Sequence, residues 1–146
     1  MCFANIWFLP DCCQGKAFEA RTRELTRIEP YLLDVKLASP VRQAHGLDSA
    51  RLAYAISKSS CECQGLIGGK GAELYRGALS YPEILEWLTY LQTLLPAGTK
   101  IALMRAWSPG DKVTPASVSA VNLKALTETM LANLEADEML IIRMGK

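Results

Sequence analysis

Cysteine is the residue type in this 146-residue chain whose spacing points most directly to chemistry. Cys12 and Cys13 are adjacent, and one residue separates Cys61 from Cys63. If the second pair is extended, its side chains project on the same side, so two thiolates can reach one ion. Thiolates suit Zn²⁺ and softer ions such as Cu(I) or trivalent arsenic. We therefore predict a soft metal or metalloid site, with zinc as the candidate cofactor, whose ligands are Cys12, Cys13, Cys61 and Cys63.

The first cysteine pair lies where a predicted strand gives way to a predicted helix. The amides at a helix N-terminus favour thiolate, so this position should lower a cysteine pKa. In α/β sheets functional loops gather at the carboxyl ends of the strands, and we expect the loop with the second pair to fold over the same edge. An adjacent cysteine pair after a first strand resembles the arsenical metallochaperones, although residues 14–17 add no third cysteine. That resemblance implies metalloid binding by Cys12 and Cys13.

Two other interpretations of the cysteines stay open. Cysteine is among the most often buried residue types, so the second hypothesis is a non-catalytic protein-interaction domain with buried cysteines. The third is a thiol-dependent enzyme in which His45 is the base for a cysteine and Asp48 orients the imidazole. His45 could instead serve as a zinc ligand. Removal of Met1 would also expose Cys2 at the N-terminus, where N-terminal-nucleophile amidohydrolases carry their nucleophile.

Residues 65–71 form a glycine-rich segment that departs from a phosphate-binding loop at two positions. When Gly69 and Lys70 are aligned with the motif, Gln64 replaces the first glycine and Gly71 replaces the Ser or Thr that reaches magnesium. We therefore predict a turn here, with a backbone anion-binding nest beside Lys70 as the less favoured interpretation.

Three aromatic residues on one predicted helix, Tyr81, Trp87 and Tyr90, are not all needed for its leucine stripe. Exposed together, they would suggest a surface for a protein partner or a homodimer contact. Packing of the same rings on the sheet is the other explanation. The sequence leaves both open.

Composition and charge limit the class of protein. Residues that are hydrophobic make up 50% of the chain and charged ones 21%, which suits one soluble domain over residues 1–146. The formal net charge is +1 and no basic cluster is evident, so neither nucleic acid nor a membrane surface is an expected partner. No run approaches the roughly 18 apolar residues of a transmembrane helix. We therefore expect a cytoplasmic protein whose thiols stay reduced.

Hydrophobic periodicity predicts the elements that must position these residues. Strands are predicted over 3–9, 31–38, 100–107 and 139–144, and helices over 14–28, 48–58, 80–95 and 114–134. Two strand–helix–strand units favour a single small α/β (or α+β) domain, with a sheet of about four or five mainly parallel or mixed strands and about four packed helices. A ferredoxin-like antiparallel arrangement is the alternative.

Overall fold

Within the part of the chain that the structure describes, the strands form two sheets of unequal size. A computed structural model describes residues 3–56, 67, 80–107 and 109–145. The strands are β1 (Phe3–Leu9), β2 (Tyr31–Leu33), β3 (Lys36–Leu37), β4 (Leu52–Ala55), β5 (Lys100–Trp107), β6 (Lys112–Val113), β7 (Ser117–Asn122) and β8 (Glu138–Arg143). The helices in these ranges are α1 (Lys16–Thr26), α2 (Ser39–Ala44), α3 (Tyr81–Leu94) and α4 (Glu128–Ala132), with a 3-10 turn at Leu123–Ala125.

The larger sheet has six strands in the order β2-β4-β1-β5-β8-β7, and β3 pairs with β6 in a small second sheet. Neighbouring strands of the large sheet are antiparallel except for β7 and β8, which are parallel. Its first four strands, with α1 between β1 and β2 and α3 between β4 and β5, follow the ferredoxin-like β-α-β-β-α-β order. The structure is therefore a mixed α/β domain whose sheet is mainly antiparallel.

The prediction of a mixed sheet is confirmed, but the observed sheet has six strands where four or five were predicted, and it is mainly antiparallel where the other form of the prediction was mainly parallel. The decisive error concerns residues 48–58, where a helix was predicted and β4 is observed. Its register sets Leu9 opposite Leu52 and Ile6 opposite Ala55. Because β4 occupies the place between β1 and β2, the first strand–helix–strand unit is split and antiparallel pairing results. The apolar spacing of Leu52, Ala53 and Ile56 favoured a helix only as a local signal, which strand pairing readily overrides.

A second correction concerns residues 114–134, where one long helix was predicted. The chain instead forms β7, which runs parallel to β8 at the edge of the sheet, and then the short helix α4. Val118 and Val121 in β7 are β-branched, which is a strand signal. Thr114 and Pro115 obscured it, because a threonine followed by proline is typical of a helix start. Thr127 caps α4, with its side chain accepting a hydrogen bond from the Met130 amide at 3.2 Å.

The remaining elements agree more closely with the prediction. β1, β5 and β8 are confirmed as strands, and α1 is a helix that begins and ends two residues inside its predicted range of 14–28. The predicted helix over 80–95 is confirmed as α3, and Ser80-Tyr81-Pro82-Glu83 forms a capping box at its start: Ser80 Oγ accepts from the Glu83 amide, and Glu83 accepts from the Ser80 amide. The predicted strand over 31–38 divides into β2 and β3, and the following Ser-Pro opens α2 because proline fits a first helical turn. No helix in the described ranges has the length and apolar character required to cross a membrane.

The central strands of the large sheet are buried on both faces, which explains why β1 is apolar at almost every position. Trp7 and Leu9 point to what we call the helical face, which α1 and α3 cover. Ile6 and Phe8 point to the opposite face, which is covered by α2 and by the small β3–β6 sheet. Strands buried on both faces lose the polar alternation of surface strands.

The helical face is held by large side chains. Trp87 of α3 packs edge to face on Trp7 of β1, with ring centroids 5.0 Å apart. Its indole N–H donates to the buried Thr22 Oγ1 of α1 at 3.0 Å, which fixes the two helices relative to each other. Phe18 of α1 packs against Tyr54 of β4, with centroids 5.4 Å apart. This layer forms the environment of the first cysteine pair.

Candidate functional site

Cys12 and Cys13 lie in the tight turn between β1 and α1. The Cys13 amide donates to the Pro10 carbonyl at 2.9 Å, and Gln14 Nε2 donates to the Asp11 carbonyl at 2.8 Å. Gly15 then takes a φ of 95°, the left-handed region that glycine enters without a steric penalty, and α1 follows. The turn therefore fixes both cysteine backbones beside the carboxyl end of β1, as the sequence predicted.

The two thiols sit in different environments although they belong to neighbouring residues. Cys12 is exposed, and its thiol lies 3.9 Å from the Leu94 carbonyl oxygen at the end of α3. Cys13 is completely buried in the core of the helical face. One thiol is thus open to solvent while its neighbour in the chain is sealed in the core.

Burial raises the pKa of the Cys13 thiol to about 12, and the neighbouring Cys12 raises it further. The helix-terminus argument predicted a lowered pKa, so for Cys13 the prediction is wrong. The physical reason is that loss of hydration penalises a buried thiolate more than the helix dipole stabilises it. At neutral pH the Cys13 side chain is a neutral thiol.

Cys61 and Cys63 lie outside the described residues, and so does Cys2. The described positions on either side of the second pair, Ile56 and Ile67, are both buried in the core that contains Cys13. β4 runs antiparallel to β1, so it ends beside Ile6, away from the turn that carries the first pair. The prediction that the loop with the second pair folds over the edge that carries Cys12 and Cys13 concerns residues outside the described ranges and stays a prediction.

The described ranges contain no group of three or more His, Cys, Asp or Glu side chains arranged to hold a metal ion. Cys12 and Cys13 could thus supply two thiols to an ion, and further ligands would have to come from outside these ranges. Burial argues against Zn²⁺ at Cys13 in particular, because zinc binds the deprotonated thiolate.

His45 lies at the end of α2, and its contacts involve its backbone. Its amide donates to the Val41 carbonyl at 3.2 Å, and its carbonyl accepts from Lys100 Nζ at 3.3 Å. Within the described part of the chain, no hydrogen bond joins His45 to Cys12 or Cys13. The cysteine–histidine pair of the thiol-enzyme hypothesis is therefore not assembled from these residues.

The aromatic residues of α3 do not form an exposed patch. Trp87 is fully buried, and the Tyr81 hydroxyl donates to the Leu126 carbonyl at 2.8 Å. Tyr90 is partly buried and stacks on Phe18, with centroids 6.2 Å apart. Packing on the sheet is the explanation that the structure supports. The glycine-rich segment falls outside the described residues apart from Ile67.

An open groove between α1 and α3 was not found by sequence reasoning. Its volume is about 700 Å³, and its lining is largely apolar, with charged and threonine side chains among the wall residues: Arg21, Leu25, Pro82, Leu85, Glu86, Thr89, Tyr90 and Thr93. Leu25 and Leu85 are the signal in the sequence that could have indicated the groove. Both are half-buried apolar side chains that lie beyond the core-facing stripes of their helices. The groove is therefore a property of how the two helices pack.

Fold and site together define a mixed α/β domain with a ferredoxin-like core and an adjacent thiol pair after its first strand. No family model, curated protein sequence or solved structure matches the chain. The functional argument therefore depends on the geometry of the molecule itself.

Proposed function

We propose that this protein binds a soft metal or metalloid ion in the cytoplasm through Cys12 and Cys13, with Cys61 and Cys63 as further ligands. The observation that carries the proposal is the turn after β1, which holds two neighbouring thiols in place, one exposed and one buried. Exposed Cys12 gives the ion a route of entry. Ile56 and Ile67, the described residues on either side of the second pair, are both buried in the core of the helical face that also contains Cys13.

The raised pKa of Cys13 favours one class of ion over another. Zinc must displace the thiol proton into solvent, which becomes harder as the pKa rises. A trivalent arsenic hydroxide instead exchanges an As–OH bond for an As–S bond, and the thiol proton leaves with the hydroxide as water. No free thiolate is needed at equilibrium, so a buried neutral thiol remains a competent ligand. The site therefore suits a thiophilic metalloid better than zinc.

Elemental analysis of the purified protein, with thiol counting before and after chelation, tests whether an ion is already held. Titration of the reduced protein with phenylarsine oxide, which bonds two thiols and releases one water, tests the thiol pair directly. We expect one arsenical per folded chain by intact mass. The variants Cys12→Ser and Cys13→Ala should lose this adduct.

The hypothesis of purely structural cysteines makes the opposite prediction. In that case the protein is metal-free, and the folded chain gains no arsenical under native conditions. Cys13 then reacts only in denaturant, because its thiol is sealed in the core. A Cys61→Ser, Cys63→Ser double variant separates the contributions: retention of the adduct would restrict the site to the first pair.

The groove between α1 and α3 favours a second candidate function, a non-catalytic interaction domain. Its wall residues include Arg21 on α1 and Glu86 on α3. A two-fold dimer brings the same patch of both copies together, so opposite charges on one patch can face each other across the axis. We therefore assign a second copy of the chain as the occupant of the groove.

Sedimentation of the wild type and of Leu85→Glu tests this candidate. Leu85→Glu places a charge in the groove and should shift a dimer to monomer, whereas Ala125→Glu, an equal charge on an exposed turn, should not. A wild type that remains monomeric throughout the concentration range would refute the dimer without affecting the cysteine proposal.

A further inference from the structure

A small cavity on the opposite face of the sheet is lined by three cationic side chains. They come from separate parts of the chain: Lys36 from β3, Arg42 from α2 and Arg51 from the residue before β4. The volume is about 120 Å³, and the buried residues Leu37 and Ala50 complete the lining. The fold thus gathers positive charge that is spread along the sequence.

These cations have few intramolecular partners. Arg42 Nη2 donates to Ser39 Oγ at 3.1 Å, and Arg51 Nε donates to the Asp48 carbonyl at 3.0 Å. Arg42 Nε is shielded from solvent and has no hydrogen-bond acceptor. A shielded donor without an acceptor is costly, and a ligand oxygen would remove that cost.

Carboxylates near the cavity do not neutralise it. The acidic residues nearest in sequence to its lining are Asp34 and Asp48, and Asp111 contacts Lys36 only through its backbone carbonyl, at 2.8 Å. All three are exposed, and none forms an ion pair with the lining cations within the described ranges. Lys112 is in register with Lys36 on the neighbouring strand and adds further positive charge.

We propose that this cavity is a binding site for a phosphate group. Two guanidinium groups and one ammonium carry three positive charges, enough to neutralise the two negative charges of a phosphate dianion, and guanidinium hydrogen-bonds pairs of phosphate oxygens in a fixed geometry. The volume admits one small anionic group, so the ligand is inorganic phosphate or the phosphate of a small phosphomonoester. This site is independent of the cysteines and lies on the other face of the sheet.

Titration of the ¹⁵N-labelled protein with inorganic phosphate at constant ionic strength tests the site by NMR. Amide shifts should be confined to β3, α2 and residues 48–51. Arg42→Gln and Arg51→Gln should each weaken binding about tenfold or more, since each removes charge-assisted hydrogen bonds. Lys124→Gln, which removes one charge from the exposed 3-10 turn, should leave the dissociation constant unchanged.

Glycerol 3-phosphate and acetate complete the experiment. Tighter binding of glycerol 3-phosphate than of phosphate identifies a phosphomonoester site, and equal binding identifies a site for the phosphate group alone. Acetate shifts of the same size at the same concentrations would overturn the proposal, because they would show general attraction of anions. An equal loss of binding in Lys124→Gln would overturn it as well.

Discussion

The two faces of the sheet are covered by different kinds of structure. On the helical face, α1 and α3 bury large rings and leucines against strand residues such as Trp7 and Leu103. On the opposite face, the short elements α2, β3 and β6 cover strand side chains of mixed size, from Ala53, Ala102 and Ala106 to Ile6 and Phe8. The helical face is therefore covered by long helices, and the opposite face by short elements.

This difference separates the two proposed sites. The thick helical layer desolvates what lies beneath it, which is why Cys13 holds its proton so tightly. The thin cover of the opposite face brings Lys36, Arg42 and Arg51 together at a small cavity close to solvent. Burial therefore controls the chemistry on one face, and charge controls it on the other.

The largest effect is expected from Trp87→Ala, which removes the central ring of the helical layer. The variant loses the edge-to-face contact with Trp7 and leaves Thr22 Oγ1 without its indole donor. Loss of a buried Trp should lower the free energy of unfolding by about 3–5 kcal/mol, measured by urea titration. Tyr31→Ala, at a ring that is 62% exposed on edge strand β2, should cost less than about 1 kcal/mol. Equal losses would contradict the helical layer as the main source of stability.

Ala102 and Leu103 compare the two faces at adjacent positions of β5. Leu103→Ala should leave a cavity on the helical face and cost about 2–5 kcal/mol. Ala102→Leu should overfill the opposite face and cost about 1–3 kcal/mol. Both residues are fully buried, so thermal and urea unfolding report their packing directly. If Ala102→Leu left the free energy of unfolding unchanged, the opposite face would have space for a larger side chain at this position.

Alkaline pH should weaken the helical face selectively. The Cys13 pKa is about 12 in the folded state against 9.0 for an ordinary thiol. Below pH 9 both states hold the proton and stability is unaffected. Between pH 9 and 12 the unfolded chain releases the proton first, so stability falls as pH rises, by about 2 kcal/mol at pH 10.5.

Urea titrations of the wild type and Cys13→Ala from pH 8 to 10.5 measure this loss. The fall in stability that begins near pH 9 in the wild type should be absent from the variant. Burial also raises the pKa of Tyr54 and Tyr90, so a decline with the same sign should remain in the variant above pH 10. Identical pH curves for the two proteins would contradict the assignment to Cys13.

The smallest difference is expected between the serine variants of the cysteine pair. Cys13→Ser places a hydroxyl in the core and should cost about 1 kcal/mol. Cys12→Ser changes an exposed side chain and should stay within about 0.5 kcal/mol of the wild type. Urea midpoints at pH 7 under reducing conditions give both values. A larger loss for Cys12→Ser would reverse the assignment of exposed and buried thiols.

The sequence determined the elements whose signals are local or nearly continuous. β1, β5 and β8 are strongly apolar runs, and the capping box and leucine spacing are sufficient to locate α3. The position of Cys12 and Cys13 between a strand and a helix was also correct. These features depend on interactions between residues close in the chain, which a pattern can report.

Tertiary structure decided the features that depend on distant residues. Residues 52–55 became a strand because β1 and β2 offered pairing on both sides, which the local alanine-rich pattern did not reveal. The packing of α1 and α3 on the sheet created the desolvation that reversed the expected pKa of Cys13. The small cavity lined by Lys36, Arg42 and Arg51 exists only in the folded chain, because these residues come from separate segments. Burial and convergence of charge arise from long-range contacts, so no single segment of the sequence contains them.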